Sequence, residues 1–192
     1  MSPPVFILIA GPNGAGKSSF TLANPHFFSS YPLLDPDVIA KTIQVDALNP
    51  SQIAAGREVL MKVDNHLRKG ESFAVETTLS GKNYIETIRR ARVLSFSIRL
   101  VYVGTSDPQI NIHRIERRVI GGGHHVPDAD VRRRYRRSMA NLVIAAHLSD
   151  FAVVFDNSSR EGYREVAVIH QEVAHWNEPI PSWVAALKAS FG

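Results

Sequence analysis

Short runs of branched apolar residues alternate with amphipathic stretches along this chain, and a complete G-x-x-x-x-G-K-[ST] motif stands directly after the first run. Most of the charge excess is gathered in one arginine-rich stretch between the fourth and fifth runs. These observations predict an α/β fold: a P-loop NTPase-type parallel sheet of about five strands, with helices on both faces and a helical lid.

Each element has its own signal. Val5-Phe-Ile-Leu-Ile-Ala10 is short and continuously apolar, as expected of a strand buried on both faces. A Gly-rich turn follows, then a short helix over 17–23 that Asn24-Pro25 stops. Residues 31–34 read as a second strand ending at Asp35-Pro36-Asp37, 38–45 as a helix, and 50–69 as a longer amphipathic helix closed by Gly70. Residues 72–75 form a third predicted strand leading into Glu76-Thr-Thr-Leu-Ser80, with a helix over 82–93 and a fourth strand over 97–103. From 107 to about 147 the pattern is helical in two pieces, interrupted by Gly121-Gly-Gly-His-His-Val-Pro127. Residues 151–155 read as a fifth strand ending at Asp156-Asn157-Ser158, and 161–175 as a final long helix before a proline-interrupted tail with Trp183. With no repeat, low-complexity tract or separate linker, residues 1–192 read as one P-loop kinase-like domain with its lid at about 105–147.

Composition narrows the function classes. Of 192 residues 44% are hydrophobic, enough for one core, and no apolar run is long enough to span a membrane. Cysteine is absent, which removes disulfides, thiolate catalysis and Cys-based metal sites and agrees with a cytoplasmic location. The start, Met-Ser-Pro-Pro, lacks the basic segment of a signal peptide. Net charge is +4, and the stretch from Arg114 to Arg137 sets eight arginines against Glu116, Asp128 and Asp130. A solvated helix face would account for such a run, but the rigid guanidinium fork also suits bidentate phosphate contacts. Tyr135 is the one aromatic residue within it, and no nucleic-acid-binding motif accompanies it, so nucleic acid is an unfavoured partner.

Gly11-Pro12-Asn13-Gly14-Ala15-Gly16-Lys17-Ser18 matches the P-loop motif at every position, with a strand before it and a helix after it. Glycines allow a tight turn whose N–H groups point at phosphate oxygens, and the helix N-terminus adds a favourable dipole. Lys17 is expected on the β and γ phosphates of ATP or GTP, the Ser18 hydroxyl on Mg²⁺, and Ser19 beside them. The chain carries no L-S-G-G-Q signature, no N-K-x-D motif, and no acidic end to the strand over 97–103. Its acidic strand ends are Asp35/Asp37, Glu76 and Asp156 instead, and so small a chain with a basic lid favours phosphoryl transfer to an acceptor over mechanical ATPase work.

In a doubly wound sheet, ligands bind at the carboxyl ends of the strands, so Lys17, Asp37 and Glu76 are expected to converge. Asp37 is the candidate general base for an acceptor hydroxyl; Glu76 is a candidate for Mg²⁺ or the acceptor. Asp35-Pro36-Asp37 reads equally well as an ordinary helix start, and Thr77, Thr78 and Ser80 as capping or binding hydroxyls. Lid arginines would close over the transferring phosphate, with the glycine turn at 121–123 as the bend and His124 and His125 as polar lid residues.

The ordered set Gly-Pro-Asn-Gly-Ala-Gly-Lys-Ser (11–18), Asp-Pro-Asp (35–37), Glu-Thr-Thr-Leu-Ser (76–80), Gly-Gly-His-His-Val-Pro (122–127), Arg-Arg-Arg-Tyr (132–135) and Asp-Asn-Ser (156–158) resembles the zeta toxin family of P-loop kinases. The resemblance covers about residues 5–158. It implies ATP- and Mg²⁺-dependent phosphorylation of a small-molecule hydroxyl acceptor, UDP-N-acetylglucosamine in characterised members, and an antitoxin protein as partner. By position in the motifs, Lys17 corresponds to the P-loop lysine, Asp37 to the general base and Glu76 to the acidic residue after the third strand. Arg118 and Arg134 look most like the two lid arginines, with Ser18 and Glu76 on the metal and Asn157 near the adenine. The two arginines stand farther apart than in the toxins, which keeps Arg117 and Arg133 as alternatives, and residues 40–69 carry no toxin-like sugar-nucleotide signature. A nucleotide or antibiotic kinase of related architecture is the rival enzyme reading, and an ATP-dependent nucleic-acid-binding module is the rival from another class.

Overall fold

The computed structural model describes residues 2–42, 51–122 and 125–192. In chain order the elements are β1 (Val5–Ala10), α1 (Lys17–Ala23), α2 (Pro25–Phe28), β2 (Leu33–Leu34), α3 (Pro36–Thr42), α4 (Ser51–Lys69), β3 (Phe73–Thr77), α5 (Asn83–Val93), β4 (Ser97–Gly104), α6 (Pro108–Ile120), α7 (Asp128–His147), β5 (Phe151–Asp156), β6 (Arg164–His170), β7 (Val173–Trp176), a 3₁₀ turn (Ser182–Val184) and α8 (Ala185–Ser190). The end of the helix predicted over 38–45 and the start of that over 50–69 fall partly outside the described residues, as do Gly123 and His124 of the predicted lid turn.

The sheet has seven strands in the order β2-β3-β1-β4-β5-β6-β7, and β1 lies at the middle of its five parallel strands. The first five strands run parallel, with Ile9 beside Glu76 on one side and Val101 on the other. Because successive strand residues point to opposite faces, Phe6, Leu8 and Ala10 enter one core while Ile7 and Ile9 enter the other. The larger core lies under α4, α5, α7 and α8; the smaller lies under α1 and α2 and includes Phe20 and Phe28. The chain builds β2 and β3 on one side of β1 and then crosses to β4 and β5 on the other, so the switch point for ligand binding falls at the carboxyl end of β1.

The predicted final helix over 161–175 is wrong. Residues Arg164–His170 and Val173–Trp176 form an antiparallel hairpin that adds two strands beside β5, so the sheet is mixed at this edge. The β-branched run Val-Ala-Val-Ile fits a strand better than a helix, and Val166, Ala167 and Ile169 reach the main core. The turn was hidden because Gln171 (φ 47°) and Glu172 (φ 69°) adopt left-handed conformations without the glycine or asparagine that usually marks a tight hairpin.

The helical pair predicted over about 107–147 is present as α6 and α7. Ile112, Ile115, Val126 and Val131 form a small apolar cluster of their own. Farther along, α7 turns into the main core through Leu142, Ala145 and Ala146, and Ser138 Oγ lies 2.9 Å from the Tyr102 hydroxyl. One rigid helix therefore joins the arginine-rich region to the sheet. Among the described residues, no helix is long and apolar enough to cross a membrane.

Candidate active site

Residues 11–18 connect β1 to α1 at the carboxyl edge of the sheet, and the loop is held from behind by residues distant in sequence. Asn157 Nδ2 donates to Ala15 O (2.8 Å), the Tyr163 hydroxyl to Gly16 O (2.7 Å), and Asn111 Nδ2 to Asn13 O (2.7 Å). Asn111 is fully buried and accepts from Thr105 Oγ1, while the Tyr135 hydroxyl donates to Thr105 O at 2.6 Å. These contacts require glycine at two places. A Cβ on Gly16 (φ 105°) would come within 2.5 Å of Asn157 Nδ2, and one on Gly14 (φ 75°) within 2.5 Å of Asn111 O.

Lys17 is 7% exposed; its Nζ donates to Pro12 O at 3.3 Å and lies 3.9 Å from Glu76 Oε1. The Ser18 hydroxyl donates to the same Glu76 oxygen at 2.9 Å. Burial lowers the Lys17 pKa, with the negative field of Glu76, Asp37 and Asp35 opposing that shift and Arg118 reinforcing it. Burial raises the Glu76 pKa, opposed by Lys17 and the Ser18 hydrogen bond. Glu76 Oε2 is buried with no hydrogen-bond partner among the described residues. A hydroxyl beside an under-coordinated carboxylate is a hard-oxygen donor set that fits Mg²⁺, which takes one or two protein ligands and completes its shell with water and phosphate. The described residues contain no cluster of three or more His, Cys, Asp or Glu suited to a metal held by protein alone.

Two cavities meet here. The first, about 370 Å³, is lined by the P-loop, Ser18, Ser19, Arg114, Ile115, Asn157 and Tyr163. The second, about 530 Å³, opens toward α3, α4 and the segment after β3, where Arg57, Thr77, Thr78, Tyr84 and Arg134 contribute. Asn13, Lys17, Asp37, Glu76 and Arg118 line both.

The two aspartates after β2 are placed differently. Asp35 caps α3: its Oδ1 accepts from Asp37 N at 2.8 Å, and its carbonyl accepts from Ile39 N at 3.0 Å. The Asp37 side chain instead stands at the junction, 59% exposed, with Oδ2 3.9 Å from Arg118 NH1. Arg134 NH1 donates to Asn13 Oδ1 at 3.3 Å. Of the alternative arginines, Arg133 pairs with Asp130 at 2.8 Å, and neither Arg117 nor Arg133 lines either cavity. Asn157 lines the smaller cavity while gripping the loop. Gly11, Pro12 and Ala15 contribute backbone rather than cavity wall. Thr77 Oγ1 accepts from Leu79 N (3.0 Å), and Thr78 and Ser80 bond to each other (2.9 Å), so local turn geometry engages all three hydroxyls.

Sequence reasoning missed Tyr163, which lay within the misread helix, and Arg57, which carries no motif. It counted Arg114 only as part of the charge run, although its place one turn before Arg118 puts both on one helix face.

The P-loop follows β1, a carboxylate stands on the neighbouring strand β3 and an arginine-bearing helical pair lies beside them, all on a P-loop NTPase-type α/β fold. No protein-family model matches the chain. It is 33% identical over 131 residues to an uncharacterized protein of Haemophilus influenzae, covering 67% of this chain and 91% of that one, and it belongs to the same family. Among solved structures it is similar to the PezAT chromosomal toxin-antitoxin system of Streptococcus pneumoniae, with a TM-score of 0.57, 16% identity, and coverage of 99% of this chain and 86% of that one. It is also similar to the AvrRxo1-ORF1:-ORF2 complex with ATP, with a TM-score of 0.60, 14% identity, and coverage of 91% and 60%. At these identities the likeness establishes the fold.

Proposed function

We propose that this protein transfers the γ-phosphoryl group of ATP to a hydroxyl of a small polar acceptor. The observation that carries the reading is the junction: the residues shared by the two cavities are a P-loop lysine and asparagine, a buried carboxylate, an exposed carboxylate and an arginine. ATP occupies the P-loop side, its phosphates on the loop N–H groups and Lys17. Ser18 and Glu76 would hold Mg²⁺, which when bound neutralises charge on the β and γ oxygens.

The acceptor enters from the larger cavity. Asp37 accepts the hydroxyl proton as the acceptor oxygen attacks the γ phosphorus; the bond from phosphorus to the β–γ bridging oxygen breaks, and ADP leaves. Arg118 and Arg134 meet charge on the transferring group, with α6 and the first turns of α7 serving as the lid. Ser19 and Asn157 border the nucleotide.

UDP-N-acetylglucosamine is the first acceptor to test, because the motif order resembles that of the zeta toxins, and an antitoxin-like protein is the corresponding partner. The cation Arg57 and the aromatic Tyr84, whose hydroxyl burial pushes up to about 12, give the acceptor wall donors of its own. The test is ADP formation from Mg·ATP with and without UDP-N-acetylglucosamine and with fractions of a metabolite extract. Stimulation by one fraction, with a phosphorylated product in it, supports the reading. Turnover that no acceptor stimulates, or none at all, counts against it.

A further inference from the structure

Arg114 has a charge for which the reaction just described has no use. It lies on α6 between Ile112 and Ile115 of the small apolar cluster, and the helix start is fixed to the P-loop through the Asn111 bond to Asn13 O. Its side chain lines the phosphate-side cavity with Gly14, Gly16, Ser18, Ser19 and Tyr163 but does not reach the acceptor cavity. One terminal nitrogen, NH1, is buried without a hydrogen-bond partner among the described residues. The Tyr163 hydroxyl, held on Gly16 O at 2.7 Å, is close enough to feel the Arg114 charge. A buried guanidinium N–H left unsatisfied is costly, and an anion reaching that cavity would remove the cost.

Arg118, four residues on, lines both cavities. At 1.5 Å rise per residue the two arginines are displaced by about 6 Å along the helix axis, comparable to the span of a triphosphate chain. We propose that Arg114 binds the inner phosphates of the nucleotide, the part that ATP and ADP share, while Arg118 serves the transferring phosphate at the junction. This assignment rests on the nucleotide reading of the P-loop. It makes Arg114 a binding residue that retains product ADP as well as substrate, and it divides the two cations between ground state and transition state.

The test is titration of fluorescent ADP and of ATP, with Mg²⁺, into wild type, Arg114→Ala, Arg114→Lys and Arg118→Ala, alongside melting of each unliganded protein. Arg114→Ala is expected to weaken ADP and ATP alike, by about 10- to 100-fold, as for loss of a hydrogen bond to a charged group. Lysine is expected to restore part of the affinity, and the unliganded melting temperature of Arg114→Ala not to fall below that of wild type, since the unsatisfied N–H is gone. Arg118→Ala is expected to weaken ATP more than ADP. Unchanged ADP affinity in Arg114→Ala overturns the proposal, as does an affinity loss matched by a fall in melting temperature that lysine shares, which would mark a structural role. Equal losses of ADP affinity in Arg114→Ala and Arg118→Ala overturn the division of labour. Wild type that binds neither nucleotide overturns the P-loop reading itself, so the two failures are distinguishable.

Discussion

The two cavities that meet at Lys17 are built in opposite ways. On the phosphate side much of the wall is P-loop backbone, joined by Lys17, Ser18, Ser19 and Arg114, and Asn111, Asn157 and Tyr163 pin that backbone from behind. On the acceptor side the wall is made of side-chain tips from α3, α4, the segment after β3, and α7, several of them well exposed. Phosphate oxygens are the same in every nucleotide, so a loop of fixed N–H groups can be finished before the ligand arrives. An acceptor varies from one enzyme to another, and side chains can be exchanged without rebuilding a loop. The phosphate side should therefore fail abruptly on substitution, and the acceptor side by degrees.

The largest effect is expected at Lys17. Lys17→Ala should take Mg·ATP turnover below detection and greatly weaken ATP binding, while leaving the protein folded, because the removed ammonium is one that burial already disfavours. Circular dichroism and ATP titration check this; wild-type-like turnover in the folded variant would falsify the P-loop assignment.

Asp37 comes next and sharpens the comparison, because its neighbour provides the control. Asp37→Asn should lower phosphorylation by about two to four orders of magnitude with ATP affinity and stability nearly unchanged. Asp35→Ala should instead cost about 1 kcal/mol of stability through loss of the cap on α3. Kinetics and thermal unfolding of both variants separate base from cap, and an active Asp37→Asn enzyme ends the general-base assignment.

A smaller effect is expected among the lid arginines. Arg134→Ala should reduce turnover by about 10- to 100-fold, more through kcat than KM, since a cation meeting developing charge acts mainly in the transition state. Arg133→Ala loses only an exposed pair with Asp130, worth about 0.2–0.5 kcal/mol, and should leave turnover within about twofold. Equal effects from the two substitutions would restore the solvated-face account of the whole run.

The smallest effect concerns the stability of the unliganded site. Burial raises the folded-state pKa of Glu76 above its ordinary value of 4.5. A raised folded-state pKa contributes stability below the unfolded value and loses it as pH rises through the folded value. At neutral pH the ionised Glu76 is thus a cost, and Glu76→Gln should melt above wild type. That advantage should shrink as pH falls toward 4.5. Thermal unfolding across that range checks the sign, and a variant less stable than wild type at neutral pH would contradict it.

What was legible in the sequence follows the same divide. The P-loop, Lys17 and Ser18 were readable because a backbone cradle needs glycines at fixed spacing, and the parallel strands because burial on both faces leaves continuous apolar runs. The hairpin of β6 and β7 was not, since its turn places Gln171 and Glu172 in a conformation that neither residue advertises. Tyr163 was lost with it. Asp35 and Asp37 could not be told apart until the cap hydrogen bond was seen. Arg114, Arg118 and Arg134 separate from Arg117 and Arg133 only once α6 and α7 are oriented over the loop. Arg57 and Tyr84 carry no motif, because nothing in the chemistry of an acceptor wall fixes their spacing.

The central claim, transfer of a phosphoryl group to an alcohol, is tested most directly by following the group itself. ATP labelled with ¹⁸O in the γ-phosphoryl group would be incubated with the protein, Mg²⁺ and a metabolite extract, and the products resolved by mass spectrometry for wild type and Asp37→Asn. The expected result is one acceptor carrying the labelled phosphoryl group in step with ADP formation by wild type and nearly absent with the variant. Label recovered only in inorganic phosphate, at the same rate from both proteins, would contradict the account.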